Sequence, residues 1–264
     1  MCGLRSRQWQ THRVQQRGSS VWALGTAAVL AGVWGAPAIT RARVLRMRCL
    51  QGLAGLGSAA HLALTFDDGP DPQGTPRVLD MLDRLGWKAT FFMLGAQVVR
   101  YPDVAARVAE SGHEVAVHGF SHRNHLARGL RDVDRDVSRA TQMITDVTGQ
   151  RPGWFRPPYG VLTAGSLVAA RRAGLRPVLW SAWGQDWQET TPDPVARVLA
   201  RQLCPGGTVL LHDSDCTAAV ADSWRSAVAV LPWLAQAADQ LGCTVGPLRE
   251  HFPPVPGASG VRSG

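Results

Sequence analysis

Leu64-Thr65-Phe66-Asp67-Asp68-Gly69-Pro70 closes an apolar run with two adjacent carboxylates and a turn. The run Leu62 to Phe66 is short, apolar and partly β-branched or aromatic, which suits a buried strand, and Gly69 and Pro70 end it. Two neighbouring aspartates repel each other unless a cation or a strong donor stands between them. The same letters also make an ordinary solvated turn. What falls at the ends of the other strands decides between the two.

Strand-like and helix-like runs alternate outward from that point. Ala89 to Leu94, Glu114 to Val117, Val178 to Ala182, Thr208 to Leu211 and Thr244 to Val245 read as strands. Thr75 to Leu85, Asp103 to Ser111, Leu130 to Thr148, Ala164 to Ala173, Pro194 to Leu203 and Ser223 to Leu241 carry helical periodicity. It is clearest in Leu130, Val133, Val137, Ala140, Ile144 and Val147, spaced by three or four. Alternating β and α units predict a mainly parallel sheet, and in a closed version reactive residues belong at the C-terminal strand ends.

The polar residues with chemical potential follow that rule. Asp67 and Asp68 follow the first strand, His118 and His122 the strand ending at Val117, Asp186 and Trp187 the run ending at Ala182, and His212 and Asp213 the run ending at Leu211. Arg156 sits in Trp154-Phe155-Arg156-Pro157-Pro158-Tyr159-Gly160, where two prolines stiffen a loop. Singly, each has a dull explanation: a satisfied histidine, an ion-pair partner, a turn beside a packed aromatic. Four strand ends repeating the pattern favour a site. One carboxylate and two imidazoles with an open position make a common catalytic site for zinc and related ions, and His118-x-x-x-His122 lets both imidazoles reach one ion. One carboxylate of the aspartate pair can ligate while the other takes a proton from water whose pKa the ion has lowered.

Charge and composition bound the function. The 264 residues suffice for one large α/β domain, and the net charge of +8 resides in the first 60 residues, which hold eight arginines and no Asp or Glu. The remaining 20 basic and 20 acidic residues cancel, which argues against nucleic-acid binding by the domain, although the arginines can meet anionic lipid headgroups. Gly18 to Thr40 carries no charge, and Val21 to Ile39 is about the ~20 residues a bilayer-spanning helix needs. Ala36-Pro37-Ala38 has the form of a signal-peptidase site after a basic stretch. Residues 1–60 are therefore expected to be a basic tail with a signal or membrane-anchor helix at about 19–40 and a Gly/Ala-rich linker, residues 61–250 the catalytic domain, and 251–264 a disordered tail. A location outside the cell or anchored and facing outward is expected, against the competing reading of a cytoplasmic enzyme with a weakly hydrophobic tail. Cys204 and Cys243 each precede a strand-like run, so an exported domain is expected to pair them.

At this point the residues resemble those of the polysaccharide deacetylases with a NodB-homology domain, carbohydrate esterase family 4. Thr65-Phe66-Asp67-Asp68-Gly69, His118-Gly119-Phe120-Ser121-His122, Arg156-Pro157-Pro158-Tyr159-Gly160, Asp186-Trp187 and Leu210-Leu211-His212 are similar to its five motifs, in the family order, over roughly His61 to Leu248. The resemblance implies a distorted (β/α) barrel, an α/β fold of the glycoside hydrolase-deacetylase type with fewer strands than eight. It implies Asp67 as general base, Asp68, His118 and His122 as ligands of one divalent ion, zinc first and cobalt or another transition metal next. Arg156 would keep Asp67 ionised and oriented, and His212, supported by Asp186, would be the general acid. The backbone N–H of Tyr159 would help hold the oxyanion, and Leu210 and Trp187 would line the acetyl pocket. One departure stands out: the family commonly has Ser or Thr where Gly119 stands, so a hydrogen bond within the metal loop is expected to be missing.

The resulting expectation is a monomeric, metal-dependent hydrolase removing N-acetyl groups from amino sugars of peptidoglycan or a chitin-like glycan, with the membrane as a further partner of the N-terminal segment. The alternatives are an O-acetyl esterase on a xylan-type polysaccharide or a small-amide hydrolase using the same site, and a non-catalytic glycan-binding domain.

Overall fold

The computed structural model describes residues 32–252. Eight strands form one parallel sheet: β1 (His61–Asp67), β2 (Thr90–Met93), β3 (Glu114–Val117), β4 (Trp154–Phe155), β5 (Arg176–Pro177), β6 (Ala182–Trp183), β7 (Thr208–His212) and β8 (Thr244–Gly246). Their order is β5-β4-β3-β2-β1-β7-β6, with β8 also paired to the start of β1. All pairings are parallel, as the alternation of strands and helices predicts. β5 and β6 are neighbours in the chain yet lie at opposite ends of this order, so the barrel is distorted and open between them.

Register sets the level of the strand ends. Asp67 lies beside Phe92 of β2 and His212 of β7, Met93 beside Val117, and Val117 beside Phe155. The residues one step past these strands, His118 and Arg156, therefore emerge at the same rim as Asp67 and His212. β1 is buried on both faces, as a central parallel strand requires. The helix Leu130–Thr148 turns Val133, Val137, Ala140 and Ile144 into the core, and Gly149 ends it at φ 67°, a left-handed conformation that glycine adopts without steric cost.

Most expected elements occur within a residue or two of their expected bounds, but the run Val178 to Ala182 is not one strand. Arg176–Pro177 pairs with β4, Ala182–Trp183 pairs with β7, and the residues between cross the open seam. Their backbone groups find other partners. Arg156 donates to the Val178 and Leu179 carbonyls, Arg46 to that of Trp180 and Arg43 to that of Ser181, while the Leu179 N–H reaches the Leu53 carbonyl. Side chains and a loop thus replace a strand ladder, and Val178 and Leu179 stay fully buried. Trp154–Phe155 and the helix Gly95–Arg100 were not expected, being two and six residues long.

The seam is closed by residues ahead of β1. A 3-10 turn, Ala36–Arg41, and a helix, Arg43–Cys49, lie against it. Arg46 is buried there, donates to the Thr40 and Arg41 carbonyls at 2.7 and 2.6 Å, and lies over the Trp180 ring. Most of the segment expected as a signal or anchor, 19–40, falls outside the described residues. Among the described residues no helix is long and apolar enough to cross a membrane.

The expected Cys204–Cys243 disulfide is not formed; both are free thiols. Cys243 is buried, with Sγ 3.5 Å from the Ala59 carbonyl and 3.6 Å from that of Leu241, so its S–H is engaged by backbone acceptors instead.

Candidate active site

Two consecutive strand residues normally point to opposite faces. Asp68 escapes that rule because its backbone leaves β1 at φ 77°, in the left-handed region. Such a conformation is costly for a non-glycine residue and is retained where the surroundings enforce it. It brings both carboxylates into one cleft of about 220 Å³. Gly69 follows for a related reason: a Cβ there would lie 2.6 Å from Asp213 Oδ1, so only glycine lets that buried carboxyl approach.

Asp68, His118 and His122 converge. Asp68 Oδ1 lies 3.4 Å from His118 Nε2 and 3.6 Å from His122 Nε2, and the three ligand atoms fall within 4.8 Å of one another. Asp68 Oδ1 is buried and has no hydrogen-bond partner among the described residues. A buried carboxylate oxygen left unpaired between two imidazole nitrogens fits a divalent cation, which would satisfy all three. His118 Nδ1 donates to the Arg156 carbonyl at 2.8 Å, which fixes the tautomer that leaves Nε2 for the ion. Burial lowers the His122 imidazole to about 4, keeping it neutral as a ligand must be. Burial alone would raise the Asp68 carboxyl, but His118, His212 and His122 hold it well below the usual carboxylate range. The hydroxyl of Thr217 donates to its other oxygen, Oδ2.

Asp67 is built differently. Arg156 Nη1 donates to Asp67 Oδ1 at 2.6 Å and to Thr65 Oγ1 at 3.0 Å, while the rest of the guanidinium is spent on the seam carbonyls and lies over Phe92. A fully buried arginine is thereby satisfied on every side, and Asp67 Oδ2 is left 3.8 Å from His118 Nε2, at the edge of the metal cluster.

On the opposite wall Asp186, fully buried, accepts from the His212 backbone N–H at 2.7 Å and from its Nδ1 at 3.1 Å. Burial would lower the His212 imidazole, but Asp186 first, then Asp68 and Asp67, push it up to about 9. Its Nε2 is left for the cleft, which Leu210 and Trp187 also line. Tyr159, half-exposed at φ 60°, sets its ring 4.4 Å from that of His122. Of the residues given roles by the resemblance, Asp67, Asp68, His118, His122, Tyr159, Trp187, Leu210 and His212 line this cleft, and Arg156 and Asp186 stand behind Asp67 and His212; Asp213, which follows His212, turns away to Thr75.

Three further lining residues, Arg41, Trp180 and Thr217, were not singled out in the sequence. Nor was Asp136. Gly119 adopts φ 93°, and a Cβ there would lie 2.8 Å from Asp136 Oδ2, so the position takes glycine on two grounds. Asp136 is buried and accepts from the Phe120 N–H at 2.7 Å, from Ser121 Oγ at 2.7 Å and from Arg128 at 2.6 Å. The missing hydroxyl in the metal loop is thus replaced by a carboxylate from the helix Leu130–Thr148. A signal existed: Val133, Asp136, Val137 and Ala140 share one helical stripe, and an aspartate there must be paired.

Residues 56–178 match the polysaccharide deacetylase family model. A chitooligosaccharide deacetylase of Sinorhizobium fredii is 39% identical over 158 residues, covering 59% of this chain and 73% of the relative. A peptidoglycan-N-acetylglucosamine deacetylase of Bacillus cereus is 35% identical over 156 residues, covering 59% of this chain and 56% of the relative, so the chain spans little more than half of that curated protein. Among solved structures, the Bc1960 peptidoglycan N-acetylglucosamine deacetylase, in complex with a naphthalenyl N-oxidanyl-benzamide, superposes with TM-score 0.70 at 27% identity, over 77% of this chain and 94% of that one.

Proposed function

The chain belongs to the polysaccharide deacetylase family, and on that premise we propose that it is a divalent-metal-dependent hydrolase removing N-acetyl groups from amino sugars of a peptidoglycan or chitin-like glycan. The observation that carries the reading is the orphaned Asp68 Oδ1 between His118 Nε2 and His122 Nε2, with Asp67 and His212 on either side of it.

Asp68, His118 and His122 would hold a divalent ion, zinc first among the candidates, which would supply Lewis acidity at this point of the cleft. Asp67, oriented by Arg156, takes a proton from the attacking water as the water oxygen bonds to the acetamido carbonyl carbon. The Tyr159 backbone N–H receives the developing oxyanion. His212, kept protonated by Asp186, gives its proton to the nitrogen as the C–N bond breaks, releasing acetate and a free amine. Leu210 and Trp187 enclose the acetyl methyl. In this reading the protein acts as a monomer at or beyond the cell membrane, a location supported by the uncharged stretch 18–40 between clusters of arginine.

The test is acetate release from N-acetylglucosamine oligomers, peptidoglycan fragments and acetylated xylan, with and without a chelator. Release from the N-acetylated glycans, lost on chelation and restored by zinc, is expected. Release from xylan alone would replace the reading by an O-esterase, and binding without turnover on any substrate would replace it by a glycan-binding module.

A further inference from the structure

The turn and helix over residues 36–49 precede the matched family segment, which begins at residue 56, yet they bring one cation to the cleft. Arg41 ends the 3-10 turn Ala36–Arg41 and lines the same cavity as Asp67, Asp68, His118, His122 and His212. Its backbone is held in place. The buried Arg46 guanidinium donates to the carbonyls of both Thr40 and Arg41, reaches the Trp180 carbonyl at 3.1 Å, and lies over the Trp180 ring, which itself lines the cavity. Arg46 thus ties the turn to the cleft wall, so Arg41 is presented on an ordered backbone.

Among the described residues no carboxylate lies within salt-bridge distance of Arg41, and residues 1–31 and 253–264 contain no Asp or Glu. An exposed guanidinium at the mouth of a cleft, with no carboxylate partner among the described residues, suits a planar anion from the ligand. Hydrolysis of the acetamide itself asks for no second cation, since Asp67 already has Arg156. A neutral glycan offers only hydroxyls and amides to that wall.

Resting on the deacetylase reading above, we infer that Arg41 is a specificity-determining residue that receives a carboxylate carried by the glycan beside the N-acetylated sugar. The substrate class narrows accordingly to acidic N-acetylated glycans. Trp180, Trp183 and Trp187 form the apolar part of the same wall, against which sugar rings can pack while the arginine selects for charge.

The test is binding, which needs no turnover. Full-length zinc-loaded Asp67→Asn protein is titrated with a tetrasaccharide of alternating N-acetylglucosamine and N-acetylmuramic acid, and with the methyl ester of the same tetrasaccharide. The acid is expected to bind at least about tenfold more tightly than the ester. Arg41→Gln should bring the two affinities together, Arg41→Lys should restore part of the preference, and Arg48→Gln, which removes the same net charge elsewhere, should leave the ratio unchanged. Equal affinities for acid and ester in the parent, a preference that survives Arg41→Gln, or no binding of either glycan would overturn the inference. Failure of the deacetylase reading would show separately, as absence of acetate release by the unsubstituted protein from glycans whose acid-to-ester ratio still answers to Arg41.

Discussion

On one side of the barrel β1 runs in register with β2 and β7 for three and five residues, and Asp67, Asp68, His118 and His212 stand at the ends of these strands and of β3. On the other side β5 and β6 are two residues each, do not pair with one another, and leave a seam filled by arginine side chains and by residues ahead of β1. The difference divides the labour of the site. The proposed ligands and base sit where backbone ladders fix positions, because metal geometry tolerates little error. The aromatic and basic wall stands over the seam, where side-chain packing sets the shape and substitution can change it. Arg156 belongs to both regions, since one guanidinium holds Asp67 and two seam carbonyls.

The largest expected effect lies on the strand side. His118→Ala should lower turnover by about 10³-fold or more and abolish stoichiometric metal binding, as measured by metal analysis beside acetate release. Near-normal metal content in that variant would break the comparison. Next comes the support of the metal loop: Asp136→Ala should weaken metal affinity by about 10–100-fold, since the Phe120 N–H, Ser121 and Arg128 lose their acceptor. A competitive zinc titration checks this, and unchanged affinity would mean that Gly119 and its neighbours hold their shape without it.

The third prediction concerns pH. His212 must be protonated to act as the acid, and its pKa is pushed up to about 9, so activity should fall as pH rises through that region. Asp186→Asn removes the main contribution that opposes burial, so the alkaline limb should move to lower pH by about one unit or more, with turnover at pH 8 falling accordingly. A pH–rate profile with an unmoved limb would assign that limb to another group. The smallest effect is expected at the seam. Arg46→Met leaves three carbonyls without their donor and should cost about 2 kcal/mol, read as a lower Tm, while zinc affinity stays within experimental error of the parent. A parallel loss of metal affinity would show that the two regions are not separable.

The same division explains what could be read without a structure. β1, β3 and the helices Leu130–Thr148 and Ala164–Ala173 were legible because their residues bury one continuous face or run, and the strand-end residues followed from the topology. That both aspartates serve one site was legible from the chemistry of the pair, but how two consecutive strand residues enter one cleft was not, since it depends on the left-handed turn at Asp68. Nor was the seam. An apolar run from Val178 onward has the composition of a strand, and nothing local says that arginines 22 to 138 residues away will take its carbonyls. Arg41 and Arg46 read as two more charges in a basic tail. Asp136 was the missed clue that the sequence did contain, a charge on an apolar stripe.

The central claim is that Asp67 moves a proton while Asp68 holds the ion, two roles for adjacent carboxylates. Asp67→Asn separates them in one protein, by equilibrium zinc binding measured beside acetate release from an N-acetylated oligosaccharide. The account predicts zinc bound at one equivalent with affinity close to the parent's, and turnover lower by about 10²–10⁴-fold. Turnover retained in that variant, or zinc lost along with it, would contradict the account.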